Sequence, residues 1–116
     1  MKESGPRVAV IGGCAAGKST LVATLRERGY DAWSVAQEHS SVADLWQHQQ
    51  PDRVVVLNAS LKSVRSRRGN PLWPEWIWEL QQRRMEQARA NADIVVDTDG
   101  RDPAAIAAEV LRFLEG

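Results

Sequence analysis

The sequence predicts an α/β fold of about four parallel strands with helices on both faces. Two observations predict it. Short β-branched runs alternate with segments of helical period along the whole chain, the pattern of a parallel sheet covered by its crossover helices. A glycine-rich segment also lies between the first apolar run and the first amphipathic period, where a strand passes into a helix. With 116 residues the chain suffices for one domain, residues 1–116, and not for two.

Taken in order, Arg7–Ile11 (RVAVI) is a short apolar strand. Lys18–Arg28 reads as a helix with Leu21, Val22 and Leu25 on one face, and Gly29 suits its C-terminal stop. Ala32–Gln37 is a weaker strand. Ser41–Gln49 reads as a short helix with Val42, Leu45 and Trp46 inward. Arg53–Leu57 (RVVVL) is the clearest buried strand. Ser60 can cap a helix from Leu61 to about Arg68, which Gly69 ends. Pro74 suits the first turn of a long helix running to about Asn91, its inward face being Ile77, Leu80, Arg84 or Met85, and Ala88. Ile94–Val96 is the last strand. Asp102 caps and Pro103 starts a final helix in which Ile106, Val110, Phe113 and Leu114 recur.

Charge and composition narrow the function. Fifteen basic residues balance fifteen acidic ones, which argues against nucleic acid as the main partner, because neutralising a phosphate backbone needs a basic excess. A small anionic ligand needs only a local positive site. Cys14 has no second cysteine to pair with, so no internal disulfide forms. No apolar run approaches the ~20 residues that span a bilayer, so no membrane partner is expected. Met1–Arg7 lacks the apolar core of a signal peptide, and the expectation is a cytoplasmic protein.

Gly12-Gly13-Cys14-Ala15-Ala16-Gly17-Lys18-Ser19 matches G-x-x-x-x-G-K-[ST] in full, with a strand before it and a helix after it, the context this phosphate-binding motif requires. The P-loop, together with the alternating strands and helices above, predicts a three-layer P-loop NTPase sandwich. Gly12 and Gly17 are expected to adopt backbone angles that side chains forbid. The N–H groups of Gly13 to Ser19 would then turn around an anion, and the helix N-terminus beginning at Lys18, Ser19 and Thr20 adds its positive end. Lys18 can reach the β- and γ-phosphates, and the Ser19 hydroxyl is suited to Mg²⁺. Cys14 reads as a small loop residue, with a redox-sensitive thiol near a helix N-terminus as the alternative.

Beyond the P-loop, the run Pro51-Asp52-Arg53-Val54-Val55-Val56-Leu57-Asn58-Ala59-Ser60, followed by Arg65, Arg67 and Arg68, resembles the small-molecule P-loop kinases of the shikimate, gluconate and adenylate kinase group. Ala92-Asp93-Ile94-Val95-Val96-Asp97-Thr98-Asp99-Gly100, then Pro103 and Val110, is similar to their last strand, adenine-side loop and terminal helix. The resemblance implies ATP and Mg²⁺ as cofactors, a small-molecule phosphate acceptor, and Arg65 or Arg68 contacting the phosphates from a mobile lid, where the guanidinium fork stabilises the transferred group. Arg83 and Arg84 point about 100° apart on a helix, so at most one of them faces the site. The chain departs from that group in being shorter, in lacking a second segment that grips the acceptor, in reducing the acceptor-binding insertion to Ser41–Gln50, and in missing one strand.

P-loop enzymes also need an acid near Mg²⁺ at the end of a neighbouring strand. Ligands of open parallel sheets lie at the carboxyl ends of the strands, which rules out Asp52 and leaves Glu38 and Asp97. Glu38 is the choice, since Asp97 falls in the adenine-side loop, and it should follow a strand directly beside the first. His39 reads as an ordinary loop histidine. Asp97-Thr98-Asp99-Gly100 fits the D-x-x-G of GTPases, but no N-K-x-D segment reads guanine. Trp73, Trp76 and Trp78 crowd the start of the long helix; stacking on an acceptor, a homodimer contact and packing on the sheet edge all remain open, with Trp76 or Trp78 partly exposed. Two functions follow: an ATP-dependent small-molecule kinase, in which Lys18, Glu38, Arg65 and Arg68 act on the phosphates, or a nucleotide-binding module or sensor without phosphotransfer.

Overall fold

The computed structural model of the chain describes residues 6–13 and 15–116. Cys14, and the first five residues of the segment read as lacking a signal peptide, lie outside them. Four strands form one sheet: β1 (Arg7–Gly12), β2 (Asp31–Ser34), β3 (Arg53–Asn58) and β4 (Ile94–Asp97). Their order is β2-β1-β3-β4 and every pairing is parallel. The register aligns Gly12 with Leu57 and Asn58 with Asp97, so all four carboxyl ends open at one edge.

Helix α1 (Lys18–Glu27) links β1 to β2. Helices α2 (Leu61–Arg68), α3 (Glu75–Arg84) and α4 (Glu86–Ala90) link β3 to β4, and α5 (Pro103–Glu115) closes the chain. Successive strand residues point to opposite faces, so each strand feeds two cores. Val8, Val10, Val55, Leu57 and Val96 meet Leu21, Val22 and Leu25 of α1 and Ile106, Ala107, Val110 and Leu111 of α5. Ala9, Ile11, Val54 and Val56 meet Trp46, Met85 and Ala88. Apolar packing thus covers both faces of an all-parallel sheet, as such sheets require.

Local signals set several boundaries as expected. Gly29 and Gly69 take left-handed backbone after α1 and α2. The Ser60 side chain accepts from the Ser63 N–H, and Asp102 accepts from the Ala104 N–H at 2.7 Å.

Other expectations are corrected. The second strand stops at Ser34 and gives way to a 3-10 turn at Gln37–His39. Ser41–Gln49 forms only a 3-10 turn at Leu45–Gln47, with Trp46 buried but Val42 exposed. The buried Gln37 explains the irregular backbone: its Nε2 donates to the Val42 and Arg84 carbonyls, and its Oε1 accepts from the Trp46 N–H. One side chain thereby satisfies backbone groups that a regular helix would have paired.

The long helix is interrupted at Met85, whose N–H is shared between the Gln81 and Gln82 carbonyls. Its fully inward residues are Gln81, Met85 and Ala88 rather than Ile77 and Leu80, because α3 crosses the carboxyl edge of the sheet instead of lying along a face. In α5, Phe113 is exposed and Ala107 and Leu111 take the inward positions.

Candidate functional site

The turn between β1 and α1 is shaped by two glycines for two different reasons. Gly17 has φ 96°, a left-handed conformation that side chains resist. Gly12, expected to do the same, is instead a strand residue kept small by contact: a Cβ there would stand 3.0 Å from the Ala16 Cβ and 3.1 Å from the Leu57 carbonyl oxygen. Gly13 is approached from above, with the Gln81 Oε1 3.2 Å from the position of a Cβ. Ala15 also takes positive φ, and the Ala16 N–H bonds back to the Gly13 carbonyl at 3.2 Å.

No side chain caps α1 at Gly17. The first N–H groups of a helix have no carbonyl partner within it, so Lys18, Ser19 and Thr20 begin α1 with donors and a positive dipole end toward the turn. A cavity of about 360 Å³ opens there. Gly13, Ala15, Ala16, Gly17, Lys18, Ser19 and Thr20 line it from the turn and α1; Glu38 and Arg68 line it from β2's end and α2.

Glu38 reaches this cavity because β2 is the immediate parallel neighbour of β1, and the Val35 N–H extends their ladder to the Val10 carbonyl. Its side chain is 4% exposed, and Oε2 forms an ion pair with the Lys18 ammonium. His39 Nε2 lies 3.7 Å from the same oxygen, on a side chain turned largely to solvent. Glu38 Oε1 is buried and has no hydrogen-bond partner among the described residues. A magnesium ion takes hard oxygen ligands, and commonly one or two protein groups with water and phosphate oxygens supply the rest. Glu38 and Ser19, a carboxylate and a hydroxyl that both line the cavity, are groups of that kind, although the described residues contain no group of three or more His, Cys, Asp or Glu able to hold a metal unaided.

Of the arginines, Arg68 lines the cavity and lies over the Trp73 ring at 4.1 Å to its centroid. Arg65 is outside that wall: its Nε donates to the Trp73 carbonyl at 2.9 Å, and it lines a shallow depression with Lys62 and Pro71. Arg84 donates to the Glu38 carbonyl at 3.3 Å, whereas Arg83 is exposed. Trp76 is exposed, and Trp78 packs on the core with its indole N–H on the Ala59 carbonyl.

Arg67 was not singled out by residue pattern, yet it is the most firmly held of the group. Nη1 donates to the Ala15 carbonyl at 2.9 Å and the Thr98 hydroxyl at 3.0 Å, and Nη2 to the Thr98 carbonyl at 2.6 Å. It joins α2, the β1–α1 turn and the end of β4. Beside it a second cavity of about 280 Å³ is lined by Arg67, Arg101, Pro103 and Ile106, and shares Ala15, Ala16, Gly17 and Thr20 with the first. The available signal was its position on a helix of four basic residues; nothing local distinguishes it from Arg65 or Arg68.

Asp97 ends β4 on the other side of β3. It accepts from the Asn58 side chain at 3.3 Å and stays away from the cavity of Lys18. Asp99 accepts from the Ser60 N–H at 3.0 Å, and this bond holds its carboxyl below the usual range; burial opposes it, and the Ser63 and Ser60 hydroxyls and Arg67 add smaller contributions in the same direction as the bond. The arrangement defines an α/β protein with a glycine-shaped turn, a helix N-terminus and a lysine–carboxylate pair at the carboxyl edge of a parallel sheet. No protein-family model and no curated protein matches the chain.

Proposed function

We propose that the chain is a P-loop protein that binds ATP with Mg²⁺ and transfers the γ-phosphoryl group to a small-molecule acceptor. The observation that carries the reading is the pair of adjoining cavities sharing Ala15–Gly17 and Thr20, one lined by Lys18, Ser19, Glu38 and Arg68 and the other by Arg67, Arg101 and Pro103. Phosphates belong in the first and a base in the second. Lys18 and Arg68 neutralise the phosphates, while the N–H groups at the start of α1 donate to their oxygens. Ser19 and Glu38 would hold Mg²⁺, which offsets charge on the transferred group. Glu38, between Lys18 and His39, also stands where an acceptor hydroxyl can be oriented.

A second reading, a nucleotide-binding module without transfer, is favoured by one feature. Helix α3 crosses above the turn, with Gln81 against Gly13 and Arg84 on the Glu38 carbonyl, and so occupies part of the approach an acceptor needs. The discriminating experiment is calorimetry with ATP and Mg²⁺ followed by a panel of hydroxyl and amine acceptors, counting ADP. Acceptor-dependent ADP supports the kinase. Tight ATP binding with no stimulated ADP supports the module, and absent ATP binding overturns both.

A further inference from the structure

Leu72 and Trp76 are the most exposed large apolar side chains among the described residues, at 84% and 66%. They lie on either side of Pro74, where the loop after α2 turns into α3. The joint is held from behind. The Trp73 carbonyl accepts from the Arg65 Nε at 2.9 Å, the Arg68 guanidinium lies over the Trp73 ring, and the Trp78 indole N–H donates to the Ala59 carbonyl. A helix that turns Trp78 inward presents Trp76, about 200° around the axis, to solvent. Isolated exposed apolar residues are ordinary, whereas neighbouring ones on a fixed joint mark an interaction surface.

Charge divides around this joint. Glu75 and Glu79 flank Trp76, both exposed, and neither forms an ion pair among the described residues. Arg83 is the next exposed charge on α3, one turn past Glu79. On the α2 side a wide depression of about 670 Å³ is lined by Leu61, Lys62, Arg65, Ser66, Gly69 and Pro71. Lys62 and Arg65 also lack a carboxylate partner among the described residues. Asp99, bonded to the Ser60 N–H at the start of α2, does not line the depression.

One surface thus carries both halves of a contact: an indole between acids, and a depression with apolar walls and cations. A two-fold axis sets each half on the other twice, the arrangement of an isologous dimer. We propose that a second copy of this chain docks here, Trp76 of each copy entering the depression of the other, with Glu75 and Glu79 facing Lys62 and Arg65. A buried indole hides about 150–250 Å² and is a common interface anchor, while the charges fix register. The acids beside Trp76 disfavour an anionic bilayer as the occupant. The contact is independent of the nucleotide reading, since Lys18, Ser19 and Glu38 take no part in it.

Sedimentation velocity on the full chain, from about 1 μM to about 1 mM, tests the proposal. A reversible monomer–dimer equilibrium is expected, and Trp76→Ser should weaken it by roughly tenfold or more. Lys62→Glu and Glu79→Lys each bring like charges together across the axis and should each weaken it as well. An equal mixture of these two variants should recover the dimer, because each reversed charge then meets its opposite. Recovery also shows that both variants are folded. A wild-type chain that stays monomeric, a dimer indifferent to Trp76→Ser, or a mixture that behaves as its components do apart overturns the proposal. A monomer whose tryptophan emission shifts only with vesicles of phosphatidylserine and phosphatidylcholine also overturns it, and gives the surface to a membrane.

Discussion

The Lys18–Glu38 pair is the feature on which both stability and the proposed chemistry converge. Both side chains are buried enough that each depends on the other for its charge to be tolerated. Lys18→Met should therefore do two things: weaken ATP binding strongly in calorimetry, and destabilise the fold by about 3–5 kcal/mol, the usual cost of leaving one buried charge unpaired. Adding Glu38→Gln should restore most of the stability in urea unfolding but none of the affinity. Equal stability of the single and double variants would remove the pair from the account. Glu38→Gln alone should leave nucleotide affinity nearly intact while abolishing Mg²⁺-dependent turnover, because the loss falls on the transition state.

Asp99 gives a pH signature at the same scale. Its folded carboxyl titrates below the unfolded one, mainly through the Ser60 N–H, so its contribution is full above the unfolded carboxylate range and is lost as pH falls through the lowered folded value. Asp99→Asn should flatten the acid limb of a stability-versus-pH curve and leave the neutral-to-basic limb unchanged in slope; an unaltered acid limb would contradict this.

At the scale of elements, two joints hold the site together. Ser60 starts α2, the helix that carries Arg67 and Arg68, and its side chain bonds the Ser63 N–H at 3.2 Å. Ser60→Ala should cost about 1 kcal/mol in chemical denaturation, the typical value of an N-cap. Gln37 fastens the turn bearing Glu38 to the end of α3 through the Arg84 carbonyl, and to the Val42 and Trp46 backbone. Gln37→Leu strands the Arg84 carbonyl and the Trp46 N–H at about 1–3 kcal/mol each, while the exposed Val42 carbonyl keeps the Leu45 N–H, so it should exceed the Ser60 effect clearly. A Gln37→Leu variant as stable as wild type would show that water replaces these bonds without penalty. The caps were legible because they are local: a Ser or Asp before a helical period announces its own bond. The Gln37 joint was not, since glutamine has no preferred partner until the fold brings Val42, Trp46 and Arg84 around it.

For the whole molecule, the cavity beside Arg67, proposed above for the base, frames a preference. No carboxylate lines it to receive the N1–H and N2–H donors of guanine. Competition binding should favour ATP over GTP by a modest margin, and a clear preference for GTP would oppose this mapping and the kinase resemblance together. The same cavity shows how a site can escape pattern reading. Arg101 and Pro103 adjoin Thr20 and Gly17 across more than eighty residues, because β4 and α5 return beside β3 and α1.

Sequence by itself determined the α/β class, the four parallel strands, the glycine-bearing turn before α1, the capped helices, and Glu38 after a strand adjacent to the first. These follow from periodicity and from residues whose backbone or side-chain bonds are local. Tertiary structure alone decided that α3 lies across the sheet's carboxyl edge, that Arg67 and Arg68 rather than Arg65 reach the two adjoining cavities, that Gly12 is small for contact with Ala16 and Leu57, and that Glu38 pairs with Lys18. The physical reason is one of range. Turns, caps and strands are fixed by neighbours a few residues away, whereas the aim of a long side chain is fixed by whichever partner, carboxylate or carbonyl, the packed layers bring within hydrogen-bonding distance.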